Sequence, residues 1–355
     1  MITTTAAGRT WHYSHNLGRQ TAEHNQSKFG RTGGYCYPMD VAAAGNDILF
    51  VISRGWGYPK LEIRSYDAYL RISKTTIDED HIGDFARGGF TWPVGIAIAK
   101  TDGSVFVSDE YECAISSFDP EGIMTFPTQD PDGENLDRWG TKGSEPGMLN
   151  GPAGIAFDAN DDLYVVDSLN NRVQVFSKTG DFLRAWGSQG SSEGEFSRPW
   201  GIAIDCEGAV YVADWGNNRV QKFGPDGEYL MTFGSQNGSP SSLSNPSGVA
   251  VDSDGDVYVT DWGNRRVQIY EPDGEVLAAL YGDMRELSKA GQYALDRDPE
   301  SIKRLNQNDA PTGYLNRFAR PVGIDIDDQD RIFVTDALSR LVVYRKDREY
   351  QEPPL

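Results

Sequence analysis

The phrase DWGNNRVQKF begins at Asp214, and DWGNRRVQIY begins at Asp261, 47 residues later. A longer unit surrounds this pair. It reads PAGIAFDANDDLYVVDSLNNRVQVFSKTGDFLRAWG from Pro152, PWGIAIDCEGAVYVADWGNNRVQKFGPDGEYLMTFG from Pro199 and PSGVAVDSDGDVYVTDWGNRRVQIYEPDGEVLAALYG from Pro246. Weaker copies start at Pro93 and Pro321 and the poorest at Pro38, which makes six. Each unit reads as four short strands, rich in β-branched and aromatic residues and separated by turns such as DSDGD and PDGE. A four-stranded sheet cannot bury both faces alone. Six such sheets stacked around an axis cover one another, so the repeats predict an all-β, six-bladed β-propeller. The Trp-Gly and Phe-Gly pairs that end the units are expected to pack between blades.

The recurring Asp-x-x-Asn-x-Arg falls at Asp167/Asn170/Arg172, Asp214/Asn217/Arg219 and Asp261/Asn264/Arg266. Asp closing a second strand can accept hydrogen bonds from loop amides and from the Arg, while Asn suits a turn position with positive φ. The phrase is therefore read as a hairpin brace. With NNRVQVF, NNRVQKF and NRRVQIY following YVVD, YVAD and YVTD, the chain resembles the NHL-repeat family, whose domains form six-bladed propellers. The resemblance is strongest in units three to five. Unit one has Arg54-Gly-Trp56-Gly-Tyr58 in place of the motif, and unit two has Glu110-Tyr111-Glu112-Cys113.

The unit from Pro321 runs out after about three strands. The segment 10–18 has the length and ending of a fourth, with Leu17-Gly18 where other units end in Trp-Gly, so the N-terminus is expected to complete the last blade and close the ring. Residues 1–355 are then one propeller domain with repeats starting near 38, 93, 152, 199, 246 and 321. Pro246 and Pro321 are 75 residues apart, 28 more than the regular spacing. The extra length marks an insert over 283–318 that is partly helix-forming between Met284 and Leu305 and is expected on the top face as a lid or docking element.

A net charge of −20 argues against nucleic acid and anionic membranes, whose binding needs Lys/Arg neutralisation. Cys36, Cys113 and Cys206 form no short-spaced pair, and no apolar leader or membrane-length run is visible, so a soluble cytoplasmic protein is expected. The histidines His12, His15, His24 and His81 do not suggest a three-His zinc site, and no phosphate-loop or nucleophile-elbow motif is present. DSDGD at Asp252 resembles part of a calcium loop but reads as a hairpin turn. No organic cofactor is expected. Ca²⁺ or Mg²⁺ held by Asn150, Asn245, Glu110 or rim aspartates stays open.

The resemblance implies that the loops entering each first strand and the second-to-third-strand turns share one face around the channel mouth. That rim would carry Tyr37, Trp92, Asn150, Arg198, Trp200, Asn245 and Arg320, together with Arg54, Trp56, Glu110, Tyr111, Asp214, Trp215, Asp261 and Trp262. Aromatic walls with a few convergent polar groups suit a small-molecule site. The first reading is a module that binds a ligand or protein partner there. The alternative is an enzyme, a lyase or hydrolase acting on a small anionic or aromatic molecule. In it Arg198 and Arg320 clamp the anion, Tyr37 or Tyr111 serves as acid/base, and Glu110 acts as base or metal ligand.

Overall fold

The computed structural model describes residues 3–18, 35, 37–54, 70–87, 90–120, 138–234, 241–283, 288–289, 292, 317–337 and 340–347. They form six antiparallel sheets around a central axis. β1 (Thr3–Ala6) and β2 (Arg9–Leu17) open the chain. Blade one follows as β3 (Pro38–Ala43), β4 (Ile48–Ser53), β5 (Arg71–Thr76) and β6 (His81–Arg87), and blade two as β7 (Pro93–Ile98), β8 (Val105–Asp109), β9 (Ala114–Phe118) and β10 (Arg138–Trp139). Blade three comprises β11 (Pro152–Phe157), β12 (Leu163–Asp167), β13 (Arg172–Phe176) and β14 (Phe182–Trp186). Blade four comprises β15 (Pro199–Ile204), β16 (Val210–Asp214), β17 (Arg219–Phe223) and β18 (Tyr229–Phe233). Blade five is built from β19 (Pro246–Val251), β20 (Val257–Asp261), β21 (Arg266–Tyr270) and β22 (Val276–Leu280), and blade six from β23 (Pro321–Ile326), β24 (Arg331–Asp336) and β25 (Arg340–Asp347).

Blade six takes its fourth strand from the N-terminus. β2 pairs antiparallel with β25, from Thr10 opposite Asp347 to Leu17 opposite Leu341, and so closes the ring. β1 then adds a fifth strand that the repeat pattern does not announce. Trp11 anchors this closure: it is buried in the core between blades five and six and donates from its indole nitrogen to Tyr258 Oη at 2.8 Å. The insert leaves and returns at one point, where Gly282 bridges Arg317 and the Phe318 amide donates to Tyr281 O. Its expected helix lies outside the described residues, apart from 288–289 and 292.

The core is a series of apolar layers between blades rather than one central mass. Phe106, Phe157, Val165 and Phe176 share one such layer, and Tyr211, Phe233, Val259 and Tyr270 another. The aromatic residues that close the fourth strands do reach the next blade. Trp139 stacks on Phe176 at 4.8 Å between centroids, and Trp186 lies over Phe223 and against Tyr164.

The six first strands line a central channel of about 340 Å³. Their third residue is Gly95, Gly154, Gly201, Gly248 or Gly323 in blades two to six. A Cβ on Gly95 would come within 2.6 Å of Ala153 O, and one on Gly154 within 2.7 Å of Trp200 O. The inner strands approach too closely for any side chain directed that way. Blade one has Asp40 at this position.

Candidate functional site

The Asp-x-x-Asn-x-Arg brace works as a hub. Asp214 is fully buried and accepts from the Ser197 amide (2.8 Å), Asn217 Nδ2 (2.8 Å) and Arg219 Nε (2.9 Å). Asp167 and Asp261 repeat the set with Asn150, Asn170 and Arg172 and with Ser244, Asn264 and Arg266. The left-handed turn position falls one residue after the motif Asn, at Asn171, Asn218 and Arg265. Asn170, Asn217 and Asn264 are kept for the side-chain bond to Asp. The brace expected from the sequence is thus present, and one placement is corrected. Asp214 and Asp261, expected as rim carboxylates, are enclosed and committed to this brace. Blade two keeps the hub without the motif, because Asp109 accepts from the amides of Thr91, Trp92, Tyr111 and Glu112.

The rim residues meet across blade boundaries, where the turn of one blade touches the residue preceding the next blade's proline. Arg54 lies over the Trp92 ring at 4.3 Å and pairs with Glu110 Oε2 at 2.9 Å. Tyr111, 47% exposed, meets the edge of Trp92 at 6.1 Å, and the Arg54 amide donates to Tyr37 O. Tyr37, Arg54, Trp92, Glu110 and Tyr111 thus form one group at the boundary of blades one and two. Burial pulls the Arg54 pKa below the usual arginine value, against the opposing effect of Glu110.

A second group lies at the boundary of blades five and six, where Arg320 stacks over Trp262 at 4.8 Å. Trp200, Trp262 and Tyr37 pack on the same apolar cluster as Met39 and Val322. Arg198 is exposed at φ 51°. Neither Arg198 nor Arg320 has an ion pair among the described residues. Asn245 is bound into the neighbouring turn, with its amide on Asn218 Oδ1 and its Nδ2 on Trp215 O. The Asn150 amide serves Asp167. Trp56 lies outside the described residues.

The repeat reading missed two residues inside the channel. Asp40 stands where five first strands have glycine, and Asp325 stands where the other five have alanine. Asp40 Oδ2 accepts the Ile96 amide of blade two at 3.1 Å, and Asp325 Oδ2 accepts the Ala43 amide of blade one at 2.8 Å. Each carboxylate bridges to the next inner strand. Burial pushes Asp40 up to about 8, with Asp325 adding to the effect, and pushes Asp325 up to about 6. The signal was present as two breaks in an otherwise regular first-strand consensus.

The family model for the NHL repeat matches residues 149–176, 196–223 and 243–270, within blades three, four and five. No curated protein matches the sequence. Several solved structures are similar. A streptogramin B lyase aligns at TM-score 0.55 and 11% identity, over 88% of this chain and 95% of its own. A virginiamycin B lyase from Staphylococcus aureus aligns at 0.55 and 13%, over 94% and 99%. A structural genomics protein of unknown function from Bacteroides thetaiotaomicron aligns at 0.60 and 17%, over 96% and 76%. At these identities the likeness is one of fold. No helix among the described residues is long and apolar enough to cross a membrane.

Proposed function

For a six-bladed β-propeller that carries NHL repeats in its third, fourth and fifth blades, we propose the role of a binding module whose top-face rim holds an anionic group of a small ligand or protein partner. One observation carries this reading. In a chain of net charge −20, Arg198 and Arg320 sit directly before the blade prolines with no ion pair among the described residues, and Arg320 is backed by Trp262. The other four units hold Tyr37, Trp92, Gly151 and Asn245 in that slot, so the blade itself does not require arginine. A guanidinium over an aromatic face suits bidentate contact with carboxylate or phosphate, at roughly 1.5–3 kcal/mol per charged hydrogen bond.

The lyase or hydrolase alternative gives Tyr37 or Tyr111 an acid/base role and Glu110 the role of base. The 2.9 Å pair with Arg54 favours a structural use of Glu110 over that of a free base. Thermal-shift and calorimetric titration with benzoate and phenyl phosphate tests the binding reading. The double variant Arg198→Ala/Arg320→Ala is expected to keep its Tm within about a degree, because exposed changes cost little. It should bind these probes at least about tenfold more weakly, the loss of a single charged contact. Equal affinity in wild type and variant would refute the assignment.

A further inference from the structure

The second-to-third-strand turns of blades two to five are tied to one face of the ring by a repeated bond. The amide of Glu110 donates to Trp92 O, that of Leu169 to Asn150 O, that of Gly216 to Ser197 O and that of Gly263 to Ser244 O, at 2.8–3.0 Å. The acceptors lie in the loops that enter the first strands, so all four turns share the face of the blade prolines. Each turn carries one large side chain at least partly open to solvent: Tyr111, Leu169, Trp215 and Trp262. Tyr111 and Leu169 are each 47% exposed. The brace beneath is built from Asp, Asn and Arg and uses none of these four side chains.

Three of these turns also reach the next blade. The Arg198 amide donates to Asn171 Oδ1, in the turn of Leu169, at 2.8 Å. Asn245 Nδ2 donates to Trp215 O at 3.2 Å, and the Arg320 guanidinium lies over the Trp262 ring at 4.8 Å. Arg198 and Arg320, both exposed and without an ion pair among the described residues, are therefore set among apolar side chains along an arc from blade two to the edge of blade six. The carboxylates of the same turns are engaged. Glu110 pairs with Arg54 and Glu112 with Arg138, and the strand-closing aspartates are held in their hubs. Sheets pack about 10 Å apart face to face, so four blades give the arc a length of roughly 20–30 Å. A small anion on one guanidinium leaves most of it uncovered. An extended chain rises about 3.3 Å per residue, so about eight residues match the arc.

On the reading of the rim as an anion-holding face, we propose that this arc binds an extended acidic peptide segment of a protein partner. The peptide carboxylates meet Arg198 and Arg320, and its aromatic side chains pack on Tyr111, Leu169, Trp215 and Trp262. A chain of net charge −20 repels an acidic peptide from most of its surface, and the two arginines reverse that repulsion locally, which fixes where the peptide lies. The apolar side chains supply contact area, and aromatic partners cover it best. Single-stranded nucleic acid also stacks on aromatic faces, but Arg198 and Arg320 offer its continuous phosphates too few partners on so acidic a protein.

Fluorescence anisotropy with the full-length protein and end-capped octapeptides of alternating Glu-Tyr, Glu-Ala and Lys-Tyr sequence tests this, with a uridine octanucleotide alongside. The Glu-Tyr peptide is expected to bind at least about tenfold more tightly than either of the other peptides, and more tightly than the octanucleotide. Tyr111→Ala and Leu169→Ala should each weaken it about fivefold, the loss of a partly exposed apolar contact, and keep the Tm within about a degree. Leu169→Ala should leave the binding of benzoate and phenyl phosphate unchanged, because those probes engage a single arginine. A wild type that binds neither benzoate nor phenyl phosphate refutes the anion-holding rim and the peptide arc with it. Binding of those probes without a preference for the Glu-Tyr peptide, or with full peptide affinity in both alanine variants, leaves the rim standing and overturns the arc. Tighter binding of the octanucleotide or of the Lys-Tyr peptide overturns it as well. The comparison among peptides uses wild type alone and holds whether or not a variant folds.

Discussion

Replacing Asp40 with asparagine isolates the cost of a carboxylate inside the channel. Asn retains an oxygen to accept the Ile96 amide that Asp40 Oδ2 now accepts at 3.1 Å, and it cannot ionise. In the folded protein the Asp40 carboxyl titrates at about 8. In the unfolded chain it titrates near an ordinary value of roughly 3.9. A folded-state pKa raised above the unfolded one gives stability that is complete below about pH 4 and is lost as pH rises through about 8. Each pH unit in that window is worth about 1.4 kcal/mol, so the ceiling is ~5–6 kcal/mol. Asp40 keeps some exposure to the channel, where water screens it, and ~2–4 kcal/mol is the expected size. Wild type and Asp40→Asn should therefore be nearly equal in stability at about pH 4. At about pH 9 the variant should be the more stable by that amount, or by several degrees in Tm. Chemical denaturation of both proteins across this range, at fixed ionic strength, measures the difference and cancels the titration of every carboxylate not coupled to Asp40, its channel neighbour Asp325 being the exception. Asp325→Asn should diverge from wild type over a narrower window, opening at about pH 4 and levelling off at the value of about 6 at which Asp325 titrates. A stability difference between wild type and Asp40→Asn that does not change with pH would refute the reasoning.

Asp214→Ala removes the hub of the blade-four brace and leaves the Arg219 guanidinium, only 5% exposed, without its carboxylate. Breaking a buried pair in this way costs about 3–5 kcal/mol, to be read from urea or guanidinium unfolding, and a loss under about 1 kcal/mol would count against the brace. Deleting residues 1–18 takes away β2, its pairing with β25 and the buried Trp11, so the Tm should fall by several degrees or more; an unchanged melting curve would show that the segment does not hold the ring shut.

The period of 47 residues, the prolines that open the first strands and the aromatic-glycine pairs that close the units made the propeller legible in the sequence. These features report local pairing, strand after strand within one blade, and a repeat copies local chemistry faithfully. Ring closure by β2 was also readable, because a missing fourth strand at one end matched a spare strand at the other. The site was legible only in part. Residues just before the prolines and in the second-to-third-strand turns do meet across blades, as Arg54 with Trp92 and Arg320 with Trp262 show. The brace role of Asp214 and Asp261 was legible in the repeated phrase, whereas their placement on the open rim was not correct, since both are enclosed.

What the sequence by itself determined was the blade and the number of blades. The tertiary structure alone decided which chain-distant groups face each other. Asp40 and Asp325 are far apart in sequence, yet they line one channel because the ring brings the first and last blades together. Lys346 enters the Asp252–Asp256 turn for a similar reason, since the strand that carries it lies in the neighbouring blade. A repeat pattern specifies contacts within its own period. Contacts between blades depend on how sheets stack around the axis, and a residue that departs from the repeat takes its role from whatever the next blade puts opposite it.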